Sequence, residues 1–359
     1  MPSKNLGILG GADRDYGSRE VVPMSQTIQL DVAGAGNAFQ QGWELSQQGH
    51  YADAIAYFEQ AIQLNPTDPV LHSHLGWTAF SLGRYDMAIQ GYQAALALQP
   101  DLETAHHSLG LALYATQQYE GAIGYLRTAL ERQPESEDIW FCQGYCLYAT
   151  HRYEGAIQHF NAALKLQPSY YEALVFRGDA LKELGDWEAA LASYNKALEQ
   201  REDDGDLWFR WANGQKQAGH PQEALNGYQK TVSFQPEHWE AWYGQGGSQM
   251  KLGDFEGAIA SYDQVLDLNP GSYEAWFNRG VALKNLNRLE DSIASYDQAL
   301  ELRPDDHRAW NNRGGVMVSL GNLRDAIACF DKVLEINPSD TKAQQNRAVL
   351  VKRLEASQG

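Results

Sequence analysis

Long apolar runs are absent. No stretch of the 359 residues approaches the ~20 consecutive apolar side chains that cross a bilayer. The N-terminus shows no compact apolar core behind positive charges, so no secretory leader is expected and the cytoplasm is the expected compartment. Cysteine is scarce: Cys142, Cys146 and Cys329 supply neither a disulfide framework nor the paired CxxC spacing of a zinc site. Basic residues are outnumbered, 28 Lys and Arg against 46 Asp and Glu, for a net charge of −18. Residues 35–170 hold only 5 of the basic side chains and 13 of the acidic ones. A chain so charged repels phosphate backbones, which excludes nucleic acid as a partner. Catalytic motifs are missing too: there is no GxSxG, no Walker loop and no HExxH. The glycine cluster GILGGADRDYG lacks a strand–turn–helix setting. No enzyme activity and no cofactor are expected.

Proline is also sparse, 12 in all, yet its placement is regular. Pro66, Pro100, Pro134, Pro168, Pro236, Pro270, Pro304 and Pro338 are 34 residues apart, except for one double gap with Glu202 at its midpoint. Glycine keeps the same step at Gly42, Gly76, Gly110, Gly144, Gly178, Gly246, Gly280 and Gly314, with Ala212 in the missing place. A small column runs from Ala54 to Ala326, and a mostly aromatic one from Phe58 to Phe330. A fixed period of this length marks a repeat architecture.

Within one period, residues 273–306, the spacing predicts two helices. Trp276, Gly280 and Leu283 form one apolar stripe, and Leu289, Ile293, Tyr296 and Leu300 form another. Gly83, Gly185, Gly253, Asn287 and Gly321 sit where the chain reverses and a positive φ is favoured. Asp68–Pro69 reads as an N-cap followed by proline at the first helical position. Gly280 and Ser292 remove bulk where the helices cross, and the aromatic column fills the space toward the next unit. One hairpin cannot bury both of its faces, so neighbours must stack.

Trp276, Gly280, Ser292, Tyr296, Ala299 and Pro304 at these offsets resemble the tetratricopeptide repeat (TPR). The resemblance implies an all-α fold: an α-solenoid, a right-handed superhelix of nine helical hairpins whose first helices line the inner wall. The nine units are 35–68, 69–102, 103–136, 137–170, 171–204, 205–238, 239–272, 273–306 and 307–340. Residues 1–34, which include VVPMSQTIQLDV, do not fit the period and read as a mobile N-terminal arm; Met24 is a second candidate start. Residues 341–359 read as a capping helix and tail, with Ala343, Val351 and Leu354 inward and Lys342, Arg347, Lys352 and Arg353 outward. The missing proline at Glu202, followed by Asp203-Asp204-Gly205-Asp206, reads either as drift with Asp204 as an N-cap or as a softer joint at 200–206.

The resemblance also implies which positions of each first helix face the groove: the second, fifth, sixth, ninth, twelfth and thirteenth. The early units place Phe39, Trp43, Trp77, Phe80, Tyr114, Phe141, Tyr145 and Tyr148 there. The later ones place Lys182, Arg210, Asn213, Lys216, Asn278, Lys284, Arg308, Asn311 and Asn312. Large rings facing a groove either bind a partner or fill the inside of the coil. Asn donates and accepts at once, which suits a peptide backbone, and Lys and Arg attract acidic segments. The carboxylate clamp of the family is rejected, because its fifth-position Lys is absent. The asparagine ladder of the O-GlcNAc transferases is matched by two rungs, Asn278 and Asn312, and broken by Arg210 and Gly244. His74, His107 and Cys142 fall on groove positions of successive units, but first helices about 10 Å apart are too distant to share a metal, so none is expected.

These readings define a non-enzymatic interaction scaffold or assembly chaperone that holds an extended or helical segment of another protein. Self-association of the array, and a substrate-selecting subunit of a glycosyltransferase-like system, stand as alternatives. Finally, the near-repeat EAWFNRG at 274–280 and RAWNNRG at 308–314 places Arg279 and Arg313 against the preceding units. Two matching ion pairs are predicted, Arg279–Asp263 and Arg313–Asp297.

Overall fold

The structure, a computed structural model, describes residues 33–356. Met24, VVPMSQTIQLDV and nearly all of the proposed arm lie outside the described residues. Every regular element among the described residues is an α-helix. The chain divides into two compact units, residues 1–200 and 201–359. In the first unit the helices are α1 (Ala33–Gln47), α2 (Tyr51–Leu64), α3 (Pro69–Ser81), α4 (Tyr85–Leu98), α5 (Glu103–Ala115), α6 (Tyr119–Arg132), α7 (Glu137–Ala149), α8 (Tyr153–Leu166), α9 (Tyr171–Glu183) and α10 (Trp187–Leu198). In the second they are α11 (Gly205–Gln217), α12 (Pro221–Phe234), α13 (Trp239–Leu252), α14 (Phe255–Leu268), α15 (Tyr273–Asn285), α16 (Leu289–Leu302), α17 (His307–Ser319), α18 (Leu323–Ile336) and α19 (Thr341–Ala356).

Each odd-numbered helix from α1 to α17 packs against the helix that follows it to form a hairpin. The reversals are built as the spacing predicts: Gly83, Gly185, Gly253, Asn287 and Gly321 all have positive φ. Gln117 and His151 take the same conformation without being glycine, each at φ 61°. Asp68 accepts from Val70 N at 2.9 Å with Pro69 at the first helical turn. Asp204 caps α11 through Leu207 N at 2.8 Å. Helix α10 stops at Leu198, two residues short of the corresponding end of its siblings. The division between the two units falls just beyond it, where the proline column is broken.

Glycine and tyrosine fit together inside each hairpin. A Cβ on Gly280 would stand 2.8 Å from the ring of Tyr296, and Ser292 Oγ donates to the Gly280 carbonyl at 2.7 Å. The aromatic column therefore fills the space over the glycine of its own hairpin as well as reaching toward the next one. Hairpins share cores: Ala258, Tyr262 and Leu266 of α14 form one buried cluster with Ala275, Ala282 and Leu283 of α15. Burying one such large side chain contributes about 1.5–3 kcal/mol, so a hairpin stripped of its neighbour loses much of its stability.

Polar bonds lock the stacking. The fourth residue of most first helices donates across six residues to the carbonyl that precedes the helix. The indole Nε1 of Trp140 reaches Pro134 O, that of Trp242 reaches Pro236 O and that of Trp208 reaches Glu202 O, each at 2.8 Å. His72 and His106 hold the same contact through Nε2 at 3.0 and 2.8 Å. A second rung joins neighbouring hairpins. Arg279 Nε donates to Asp263 at 2.6 Å and Arg313 Nε to Asp297 at 2.6 Å, the two pairs predicted. A third, Arg347 with Asp331, was not predicted.

That third pair corrects the reading of the C-terminal helix. Arg347 does not face outward freely but turns back to α18, and α19 packs on α18 as a further first helix. Ala343 is buried as expected, yet the deep apolar contact is Leu350, while Val351 and Leu354 are only half-buried.

Candidate functional site

Successive first helices touch one another: α3 with α5, α5 with α7 and α7 with α9 in the first unit, α11 with α13 and α15 with α17 in the second. Within each unit the first helices thus run side by side and share a first-helix face.

In the first unit the rings separate into two groups. Phe39, Tyr114, Phe141 and Tyr145 are buried. They pack on each other and on neighbours: Tyr114 lies edge-on to Tyr145 at 5.3 Å, and Tyr145 edge-on to Phe176 at 4.8 Å. Phe176, on the sixth position of its unit, was missed in the sequence, although its register there points to the face. Trp43, Trp77, Phe80 and Tyr148 are half-buried and keep part of each ring in solvent. Trp77, Phe80 and Tyr148 are flanked by residues that open second helices, which groove spacing alone does not reveal. Tyr51 meets Trp77 at 5.8 Å, Tyr85 meets Phe80 at 5.3 Å and Tyr153 meets Tyr148 at 5.8 Å. T-shaped and tilted pairs at these separations are favourable for aromatic quadrupoles.

His74 sits among this group, between Phe39 at 5.1 Å, Trp43 at 5.3 Å and Phe58 at 5.8 Å. Burial against rings removes the water that would solvate an imidazolium, and its pKa falls to about 4. Cys142 and Cys146 lie beneath the face. Burial pushes the Cys142 thiol well above its ordinary value and that of Cys146 up to about 12, so both stay protonated thiols.

The remaining named residues are polar, and several are already engaged. Lys182, in the first unit, pairs with Glu183 at 2.8 Å. In the second unit Asn213 accepts from Tyr228 Oη at 2.8 Å, and Asn278 donates to Tyr243 Oη at 2.9 Å. Arg308 pairs with Asp306 at 2.8 Å, a carboxylate that also accepts from Tyr273 Oη at 2.6 Å. Lys216 and Lys284 are exposed, and Arg210, Asn311 and Asn312 are half-buried. The break in the asparagine series at Gly244 has a steric cause: a Cβ there would stand 2.5 Å from the Tyr228 ring. The series continues instead at Asn346 on α19, exposed and one period beyond Asn312, a rung that lay unread in AQQNRA. What the face offers is ring surface, amides and a few ammonium groups.

The hairpins and their shared cores define an α-solenoid. Two tetratricopeptide-repeat profiles match it, one over residues 45–112 and the other over 107–171, 147–206, 209–272, 248–297 and 277–341. The chain belongs to the tetratricopeptide repeat family, whose arrays are protein-interaction scaffolds and generally not enzymes. No curated protein matches it. Among solved structures, the C-terminal part of a TPR repeat-containing protein from Cytophaga hutchinsonii is 16% identical, with a TM-score of 0.58 over 66% of this chain and 97% of that one. MamA from Desulfovibrio magneticus RS-1 is 20% identical over 48% of this chain and 97% of its own, TM-score 0.45. YrrB, described as a TPR protein with an unusual peptide-binding site, is 23% identical over 53% and 97%, TM-score 0.49. Among the described residues, no helix is long and apolar enough to cross a membrane.

Proposed function

We propose that this protein is a non-enzymatic scaffold or assembly chaperone whose units each hold a segment of a partner protein against their own first-helix face. The observation that carries the reading is the set of side chains on those faces which stacking does not require. Trp43, Trp77, Phe80 and Tyr148 hold part of each ring in solvent, and Lys216 and Lys284 are exposed. Half-exposed Trp and Tyr are the residue types that anchor interfaces. Amides such as Asn311 and Asn312 bond a main chain whatever its side chains.

The test is affinity capture with the full chain and with a variant carrying Trp43→Ala, Trp77→Ala, Tyr148→Ala and Asn312→Ala, followed by mass spectrometry. Circular dichroism establishes that the variant is folded. Loss of the captured partners supports the reading. Equal recovery on a folded variant overturns it.

A further inference from the structure

We propose that the first-helix face of the first unit takes a cationic amphipathic segment of another protein, one in which Lys or Arg alternates with apolar side chains. This rests on the reading of that face as a protein-binding surface and names the class of partner.

The first helices of this unit are rich in acid. Helices α1, α3, α5 and α7 contain no Lys and no Arg, but they carry Glu44, Glu103, Glu137 and Asp138; α9 adds Arg177 and Lys182 against Glu172, Asp179 and Glu183, with Lys182 paired to Glu183 at 2.8 Å. The second helices whose opening tyrosines meet the rings add acid in their first turns. Exposed Asp53, Asp86 and Glu154 stand in the first turns of α2, α4 and α8, one or two residues after Tyr51, Tyr85 and Tyr153. Two cations lie at the adjacent turns. Arg152 is held by Glu120 at 2.7 Å, which leaves Arg84. An acidic or phosphorylated segment laid on this face would meet more carboxylates than cations.

A cationic segment fits both features. The ammonium or guanidinium is drawn to the ring faces of Trp77 and Tyr148 and to the carboxylates, while its methylene stem covers apolar ring surface. The segment's apolar side chains would cover the exposed parts of Trp43 and Phe80. A purely basic, apolar-free segment would use only the carboxylates and leave the rings wet.

The experiment is fluorescence anisotropy with three labelled model peptides of equal length: lysine–leucine, its glutamate–leucine twin and a lysine–serine twin. Each is titrated with the full chain and with two variants. The Trp77→Ala/Tyr148→Ala variant removes rings, and the surface variant Asp53→Asn/Asp86→Asn/Glu154→Gln leaves packing intact. The lysine–leucine peptide is expected to bind about tenfold or more tighter than either twin. It should weaken about tenfold in both variants and recover in Trp77→Phe/Tyr148→Phe. Undiminished binding in the two variants marks general attraction to an acidic protein and overturns the proposal. Equal or tighter binding of the glutamate–leucine twin overturns the cationic class; if that binding is lost in the ring variant, the face itself still stands as a peptide surface. If no peptide binds while captured partners remain ring-dependent, the class is wrong and the scaffold reading survives. Captured partners that ignore the rings sink both.

Discussion

The indole Nε1 of Trp310 donates to the carbonyl oxygen of Pro304 at 2.8 Å, and one period later Gln344 Nε2 makes the same bond to Pro338 O. Trp, His and Gln are thus interchangeable in this column because each projects one N–H to the same depth. The bond satisfies a carbonyl at the turn between hairpins that no helix uses. Trp310→Phe keeps most of the ring and deletes the donor, so it is expected to cost about 0.5–1.5 kcal/mol. Trp310→Leu loses ring area as well and should cost more. Urea denaturation of the two variants against the parent reads the difference.

His74 makes the first unit sensitive to acid. Its folded pKa of about 4 lies below the ordinary 6.5, so as pH falls below 6.5 the unfolded chain takes the proton first. Stability is fully present above pH 6.5, falls between 6.5 and 4, and levels off below 4, with a total loss on the order of 3 kcal/mol from this group. His74→Gln should flatten that part of the stability–pH curve. Thermal melts of both proteins across the window, compared at equal ionic strength, check the prediction.

Gln117 ends a reversal at φ 61°, where most of its counterparts are glycine. An L side chain in this left-handed region costs about 1–2 kcal/mol, and glycine loses about 0.5–1 kcal/mol more entropy on folding. The balance favours Gln117→Gly by about 0.5–1 kcal/mol. His151 shares the conformation, but its Nδ1 lies 2.7 Å from Tyr153 Oη, so His151→Gly also breaks a contact and should gain less. Midpoints of chemical denaturation for the two variants rank them.

Much of the fold was legible because the repeat imposes one local solution many times. Pro, Gly and the small and aromatic columns each answer a backbone or packing need that depends only on near neighbours. The Arg279–Asp263 and Arg313–Asp297 pairs could be read for the same reason: both partners keep fixed offsets from the period. The face was less legible. Groove register places Phe39, Trp43, Phe141 and Tyr148 alike on one stripe, yet Phe39 and Phe141 are buried whereas Trp43 and Tyr148 are half-buried. How far each ring is covered turns on rings supplied from other elements: Tyr170 and Phe176 lie against Phe141, and Tyr153 and Phe176 against Tyr148. Spacing within one helix holds no record of them. The polar stripe failed likewise: nothing in the isolated NRG block says that Asn278 will find Tyr243.

The last helix gives a sharper contrast between register and contact. Reading α19 as an isolated amphipathic cap favours Val351 as a core residue. Reading it as one more first helix shifts the core to Ala343 and Leu350, which pack with Met317, Ala326, Phe330 and Val333. Leu350 is 3% exposed, whereas Val351 is half-buried. Leu350→Ala is therefore expected to cost about 2–4 kcal/mol and Val351→Ala under about 1 kcal/mol. Nearest-neighbour coupling in a solenoid confines the damage to the end that loses its contact. Hydrogen exchange should speed in α17 to α19 of the Leu350 variant and stay at parental rates in α11 and α12. Equal effects of the two substitutions would return α19 to the role of a loosely attached cap.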